Sequence, residues 1–225
     1  MEEKEESTGI LRFDERFEAY EMIFNLIKGR RSIRRYRPDA PAYDLILKLI
    51  DAARHAPSAT NLQPWLFLVI TNKFVKQQMA DAVASKLAAL SSKEELVGGA
   101  RLSEFRKDYF LFFQKAPVVI APIFKPYPLT IKLGYEKTEG KLDRHRLLGV
   151  ESTAAAVQNM LLSAQALELG ACWLDGPLIA KNELESILMV KPPWELLCLV
   201  TIGFPDEQPR PPRRKKLDLV TRFIA

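Results

Sequence analysis

The sequence predicts a single mixed α+β domain, and three observations carry that prediction. Segments with apolar residues at three- and four-residue spacing alternate with short unbroken apolar runs, the patterns of amphipathic helices and buried strands. Of the 225 residues 48% are hydrophobic, enough for one substantial core. No internal repeat appears, and the only candidate break between two cores, Gly98-Gly99, reads as a helix interruption.

Residues 1–14 read as a charged, flexible tail and 15–225 as the domain. Phe17, Tyr20, Ile23, Phe24 and Ile27 form one helical stripe ending at Gly29. Pro41 suits the first position of a second helix, continued by Leu45, Ile46, Leu49, Ile50 and Ala53 and ended by His55-Ala56-Pro57. The run from Trp65 to Ile70 is the mark of a strand buried on both faces. Residues 74–114 are helical in pattern, and the aromatics Phe105, Tyr109, Phe110, Phe112 and Phe113 read most simply as core. A second strand spans 117–124, and the Pro-, Gly- and charge-rich stretch 125–141 reads as a loop.

A long helix over 148–169 buries Val150, Ala154, Val157, Leu161, Ala164 and Leu167, with Gly170 as its C-cap. A strand at 171–174, a helix capped by Asn182 and running to Met189, and a strand at 196–202 follow. The Pro- and Arg-rich tail, 203–225, ends with Leu217, Leu219, Val220 and Phe223.

The net charge of +5 is concentrated near 30–37 and 210–216, which points to anion sites or to a nucleic-acid face. Cys172 and Cys198 lie in apolar surroundings outside any CxxC pair, so buried free thiols in a reducing compartment are expected. The acidic N-terminus lacks the apolar stretch of a signal peptide, and no run approaches the ~20 apolar residues of a membrane helix. The expected location is the cytoplasm. His55 reads as a helix-end residue and His145 as surface. The two have no partners at ligand spacing, so no metal site is expected. Neither a GxGxxG after a strand nor a GxxxxGK[ST] is present, which argues against those nucleotide-binding folds.

Two motifs carry the functional reading. Arg30, Arg31, Ser32 and Arg34 combine planar guanidinium forks with a hydroxyl, a set that suits phosphate oxygens but also fits a solvated basic turn. The loop from Pro57 to Trp65 runs straight into a buried strand. Its Ser58, Thr60, Asn61 and Gln63 offer donors and acceptors for a uracil-like edge or a polyol, and Trp65 reads as core. Alone, each motif is weak.

Five segments in order make the chain resemble the nitroreductase family of FMN-dependent oxidoreductases: RRSIRRY (30–36), APSATNLQPW (56–65), GVESTAAAVQNMLLSAQALELG (149–170), CWLDG (172–176) and IGFP…RRKKLDLV (202–220). The resemblance implies a central mixed or antiparallel sheet flanked by helices in an intertwined homodimer. Residues 74–145 would vary and cover substrate, and 203–225 would extend over the partner. Arg30, Arg31, Ser32 and Arg34 match positions holding the FMN phosphate and part of the ring. Pro57, Ser58, Ala59 and Asn61, with Gln63 a weaker candidate, match the loop laid against the flavin by the partner. Leu174, Asp175 and Gly176 match a segment whose amide faces flavin N5. Arg214 and Lys215 match a basic pair closing on the phosphate, while Arg35 and Arg37 fall outside the matched core as surface charge.

The implied activity is hydride transfer from NADH or NADPH through flavin N5 to nitroaromatics, quinones or similar conjugated acceptors. It is ping-pong, with no catalytic side chain. Reductive dehalogenation, or the flavin destruction of cobalamin-ligand synthesis, are related alternatives. A flavin carrier without turnover, or a basic nucleic-acid-binding module, are alternatives of other classes. No nucleic-acid or membrane partner is expected, since the arginines lack interleaved aromatics.

Overall fold

Seven consecutive uncharged residues, Val118–Phe124, form the strand β4, and all of them are buried. The computed structural model describes residues 13–91, 96–97, 100–101, 107–128 and 144–224. Around β4 the sheet runs β1 (Trp65–Ile70), β4, β7 (Leu199–Gly203), β5 (Gly170–Leu174), with β6 (Glu195–Leu196) also paired to β4. Every ladder in it is antiparallel. β6 and β7 are one strand divided by a bulge: the register passes from Leu196↔Ile123 to Val200↔Ile120, one residue too many on the β7 side.

Side chains alternate between the two faces of a strand, so β4 feeds two cores. Val118 and Ile120 point into a cluster with Leu49 and Ala53 of α2 (Tyr43–Arg54) and Ala156, Met160 and Ala164 of α5 (Arg144–Ala166). Val119, Ala121 and Ile123 point into a second cluster with Met79 and Val83 of α3 (Lys73–Ser91) and Leu184 of α6 (Lys181–Ile187). Lys76 on α3 is buried, and its Nζ donates to the carbonyls of Ala116 and Pro117, fastening α3 to the start of β4. Burial lowers its pKa, with Lys73 adding to the effect.

Several expectations are corrected. α1 (Phe13–Gly29) ends at Gly29 as its apolar spacing predicts, and its stripe is exposed: Phe17, Tyr20, Ile23 and Ile27 face away from the core. β1 is an edge strand, with Leu66 48% and Val69 42% exposed. In both cases the described residues leave an apolar pattern uncovered. α2 starts at Tyr43 rather than Pro41, because Ala42 is extended (ψ 149°). Gly170 opens β5 instead of capping α5, and the reversal is made by Glu168 at φ 56°. Asn182 lies inside α6 and caps nothing, because a 3-10 turn over Gly176–Ala180 leads directly into that helix.

The helical reading of 74–114 is also overturned in part. Between α3 and α4 (Lys107–Leu111), β2 (Leu96–Val97) and β3 (Ala100–Arg101) pair antiparallel. Gly98-Gly99, Phe105, most of the 125–141 loop and nearly all of the 1–14 tail lie outside the described residues. Phe113 is fully buried, whereas Tyr109 is 48% exposed. His145 sits in the first turn of α5, half-buried, rather than on a surface loop.

Candidate functional site

The arginine segment leaves α1 and lies along the free edge of β5. Ser32 forms a parallel bridge with Ala171, and the Ile33 amide donates to the Ala171 carbonyl at 3.0 Å. Gly170 permits this close approach, since a Cβ there would stand 2.8 Å from Ile33 Cγ2. The Ser32 bridge lies next to Cys172, and Arg34 Nη1 donates to the Ser32 carbonyl at 3.3 Å. Burial raises the Cys172 thiol pKa, while Arg34, a hydrogen bond with Ser32 and Arg30 pull it partly back. Among the described residues, the ion pair at this cluster goes from Glu207 to Arg35, leaving Arg30 and Arg34 unpaired with carboxylates. Guanidinium groups set beside a hydroxyl and not themselves paired with a carboxylate suit an anion such as a phosphate.

Arg31 is placed differently. Its Nη1 donates to the carbonyls of Lys28, Gly29 and Arg30, closing the end of α1. Its buried Nε has no partner among the described residues. The Arg31 Nη1 group is therefore engaged by its own chain.

The second motif is a strained loop. Thr60, Asn61 and Gln63 have φ of 49°, 56° and 51°. For a β-branched threonine this is a genuine outlier, and strained residues cost roughly 1–3 kcal/mol each. The Ser58 hydroxyl oxygen accepts the Gln63 amide at 3.0 Å, and Asn61 Oδ1 accepts from Gln63 Nε2 at 3.3 Å. The Ser58 hydroxyl hydrogen and the Asn61 amide hydrogens have no partner among the described residues. The two glutamine contacts make Gln63 a buttress of the loop.

β5 ends at Leu174, which is buried, and Asp175 accepts the Trp173 indole hydrogen at 2.9 Å. Gly176 lies against the Phe110 ring, 3.0 Å from where a Cβ would stand. The neighbouring Tyr109 ring lies under the Arg34 guanidinium at 5.4 Å. Arg34 and the 174–176 segment are thus joined by the α4 aromatics, on the same side of the sheet as the arginine segment.

The two polar motifs do not meet within one chain. From the Ser32 segment to β1 the order is β5, β7, β4, β1, four spacings or about 19 Å. Ala171 is level with Ile202 and Val118, one step beyond the Ile70↔Val119 pair. Trp65 therefore lies about 20 Å away along the strands as well. The arginine segment and the 57–63 loop occupy opposite corners of the sheet. Arg214 and Lys215 lie on an exposed tail, and among the described residues no hydrogen bond or ion pair ties them to the cluster.

Three residues were not singled out from the sequence. The Tyr36 hydroxyl bonds to Thr201 Oγ1 at 2.7 Å and to the Ile33 carbonyl, holding the arginine segment on the sheet. Burial drives its phenol pKa far above the usual value. Glu207 accepts the amides of Arg34 and Arg35 and pairs with Arg35 Nε at 3.5 Å. Tyr127, buried, bonds through its hydroxyl to Thr60 Oγ1 at 2.5 Å. Tyr36 belonged to a motif already noticed. Glu207 and Tyr127 act across 67 to 173 residues of sequence, where spacing gives no signal.

Comparison with known proteins gives a consistent answer. The model of the nitroreductase family matches residues 27–204. YfhC of Bacillus subtilis, assigned by name to the NAD(P)H nitroreductases, is 21% identical over 89% of this chain and 93% of its own length. The iodotyrosine deiodinase of Thermotoga neapolitana is 26% identical over 86% of this chain and 95% of its own. Among solved structures, a BluB-like flavoprotein from Clostridium difficile is 28% identical with a TM-score of 0.78, covering 90% of this chain and 99% of that one. A nitroreductase with bound FMN from Desulfitobacterium hafniense is 21% identical with a TM-score of 0.68, covering 90% and 98%.

Proposed function

This chain belongs to the nitroreductase family, and on that premise we propose that it is an FMN-dependent oxidoreductase passing hydride from NADH or NADPH to nitroaromatics, quinones or similar conjugated acceptors. The observation that carries the reading is the arginine segment laid along β5, with Ser32 bridged to Ala171 and with Arg30 and Arg34 unpaired with carboxylates among the described residues. That donor set fits a phosphate and the electron-rich edge of a flavin. Bound FMN would supply hydride transfer at N5.

The roles of the side chains follow. Arg30 and Ser32 hold the phosphate. Arg34, near the α4 aromatics, offers positive charge to the ring edge that becomes electron-rich on reduction. The 174–176 backbone would offer its amides to the ring, and Tyr109 and Phe110, packed between Arg34 and Gly176, would line the pocket. Pro57, Ser58, Ala59 and Asn61 come from a second copy, because they stand at the far corner of their own sheet. The same second copy covers the exposed faces of α1 and β1. The tail, with Leu217 80% and Phe223 94% exposed, lies over the partner and brings Arg214 and Lys215 to its phosphate site.

An anaerobic titration tests the reading. The purified protein, reconstituted with FMN, is yellow, bleaches with NADH or NADPH, and recolours with a nitroaromatic or quinone. Colourless protein that cannot be reconstituted contradicts the proposal. The deiodinase relative favours a second reading, reductive dehalogenation, which is scored by adding a halogenated tyrosine to the acceptor panel.

A further inference from the structure

The strained loop at 58–63 is pinned from outside at two points. The Lys125 amide donates to the Pro64 carbonyl at 3.0 Å, and the Tyr127 hydroxyl meets Thr60 Oγ1 at 2.5 Å. The pinning segment is itself fixed. The Tyr127 amide donates to the His145 carbonyl at 2.9 Å, and Gly149 of α5 packs so closely that a Cβ there would stand 2.5 Å from the Lys125 carbonyl oxygen. Tyr127 is 5% exposed, so its ring cannot swing away from the loop. Thr60 is the β-branched residue of the three at positive φ, the one least able to keep that conformation unaided. It is also exposed, so its own packing does little to hold it.

We propose that Tyr127 is a positioning residue for the flavin: its hydroxyl holds Thr60 in the left-handed conformation from which Ser58 and Asn61 present their donors. This rests on the flavin reading above and adds a residue outside all five matched segments. The hydrogen bond matters through the shape of the loop rather than through contact with the ligand.

The test compares FMN dissociation constants, visible flavin spectra and melting temperatures of the full-length protein and four variants. Tyr127→Phe keeps the ring and removes the hydroxyl. Thr60→Val removes the other partner, and Thr60→Ser restores a hydroxyl. The double variant Thr60→Gly, Tyr127→Phe replaces the strained residue with one that adopts positive φ freely. Expected are a roughly 5- to 10-fold weaker FMN constant and a shifted spectrum for Tyr127→Phe and Thr60→Val, the scale of one neutral hydrogen bond. Thr60→Ser stays near wild type, and the glycine double variant recovers at least part of the loss. Tyr127→Phe binding FMN with unchanged affinity and spectrum overturns the proposal, as does a double variant no better than Tyr127→Phe. Wild-type protein that binds no FMN sinks the flavin reading and this inference together, an outcome separate from the other two.

Discussion

At the scale of single residues, the arginine cluster divides into different tasks. Arg31 closes its own helix, Arg35 pairs with Glu207, and Arg30 and Arg34 pair with no carboxylate among the described residues. Arg30→Ala or Ser32→Ala is therefore expected to weaken FMN binding, whereas Arg37→Ala leaves it unchanged. Losing one charge-assisted bond at Arg30 costs roughly 1.5–3 kcal/mol, or about 10- to 150-fold in the dissociation constant by fluorescence titration. Equal losses at all three positions would indicate a diffuse basic patch. Tyr36 gives a pH prediction. Its folded-state pKa is raised by burial, so its contribution to stability is fully present below the ordinary phenol value of about 10 and declines as pH rises beyond it. Denaturation of Tyr36→Phe across pH 8 to 11 should show that slope reduced, with stability at pH 8 lower by about 1 kcal/mol.

At the scale of elements, sequence pattern found most of the strands and helices because burial and periodicity go together. The departures have physical causes. Gly170 looked like a helix cap, but its missing Cβ serves the approach of Ile33 to β5. Gly170→Ala is accordingly expected to push the arginine segment off the strand and to weaken FMN binding more than it lowers the melting temperature. Gly149→Ala should do the reverse. Its Cβ would meet the backbone at Lys125, so a loss of roughly 1–3 kcal/mol in chemical denaturation is expected. The β6–β7 bulge and the positive φ of Glu168 left no trace in the periodicity. The 57–63 loop was legible as a candidate site because its polar residues run straight into an apolar strand. Its strain, and the Tyr127 contact that opposes it, were not, because both are set by packing between distant segments.

At the scale of the whole molecule, the apolar pattern and the burial disagree, and the disagreement is informative. α1, β1 and the tail carry hydrophobic residues that one chain leaves in solvent. Removal of residues 209–225 should leave a folded core with weaker self-association in sedimentation and with less retained FMN. The central claim is that one flavin is gripped by Arg30, Ser32 and Arg34 of one chain and by the 57–63 loop of the other. Complementation tests this directly, using chains with Arg30→Ala and chains with Ser58→Trp, differently tagged and co-expressed. Each homodimer alone has a damaged half in every site and should purify without flavin. In the mixed dimer both lesions fall in one site and the other is intact, so tandem purification should yield a yellow, half-occupied protein that bleaches with NAD(P)H. A mixed dimer as colourless as its parents would place both motifs around a flavin within a single chain and contradict the account.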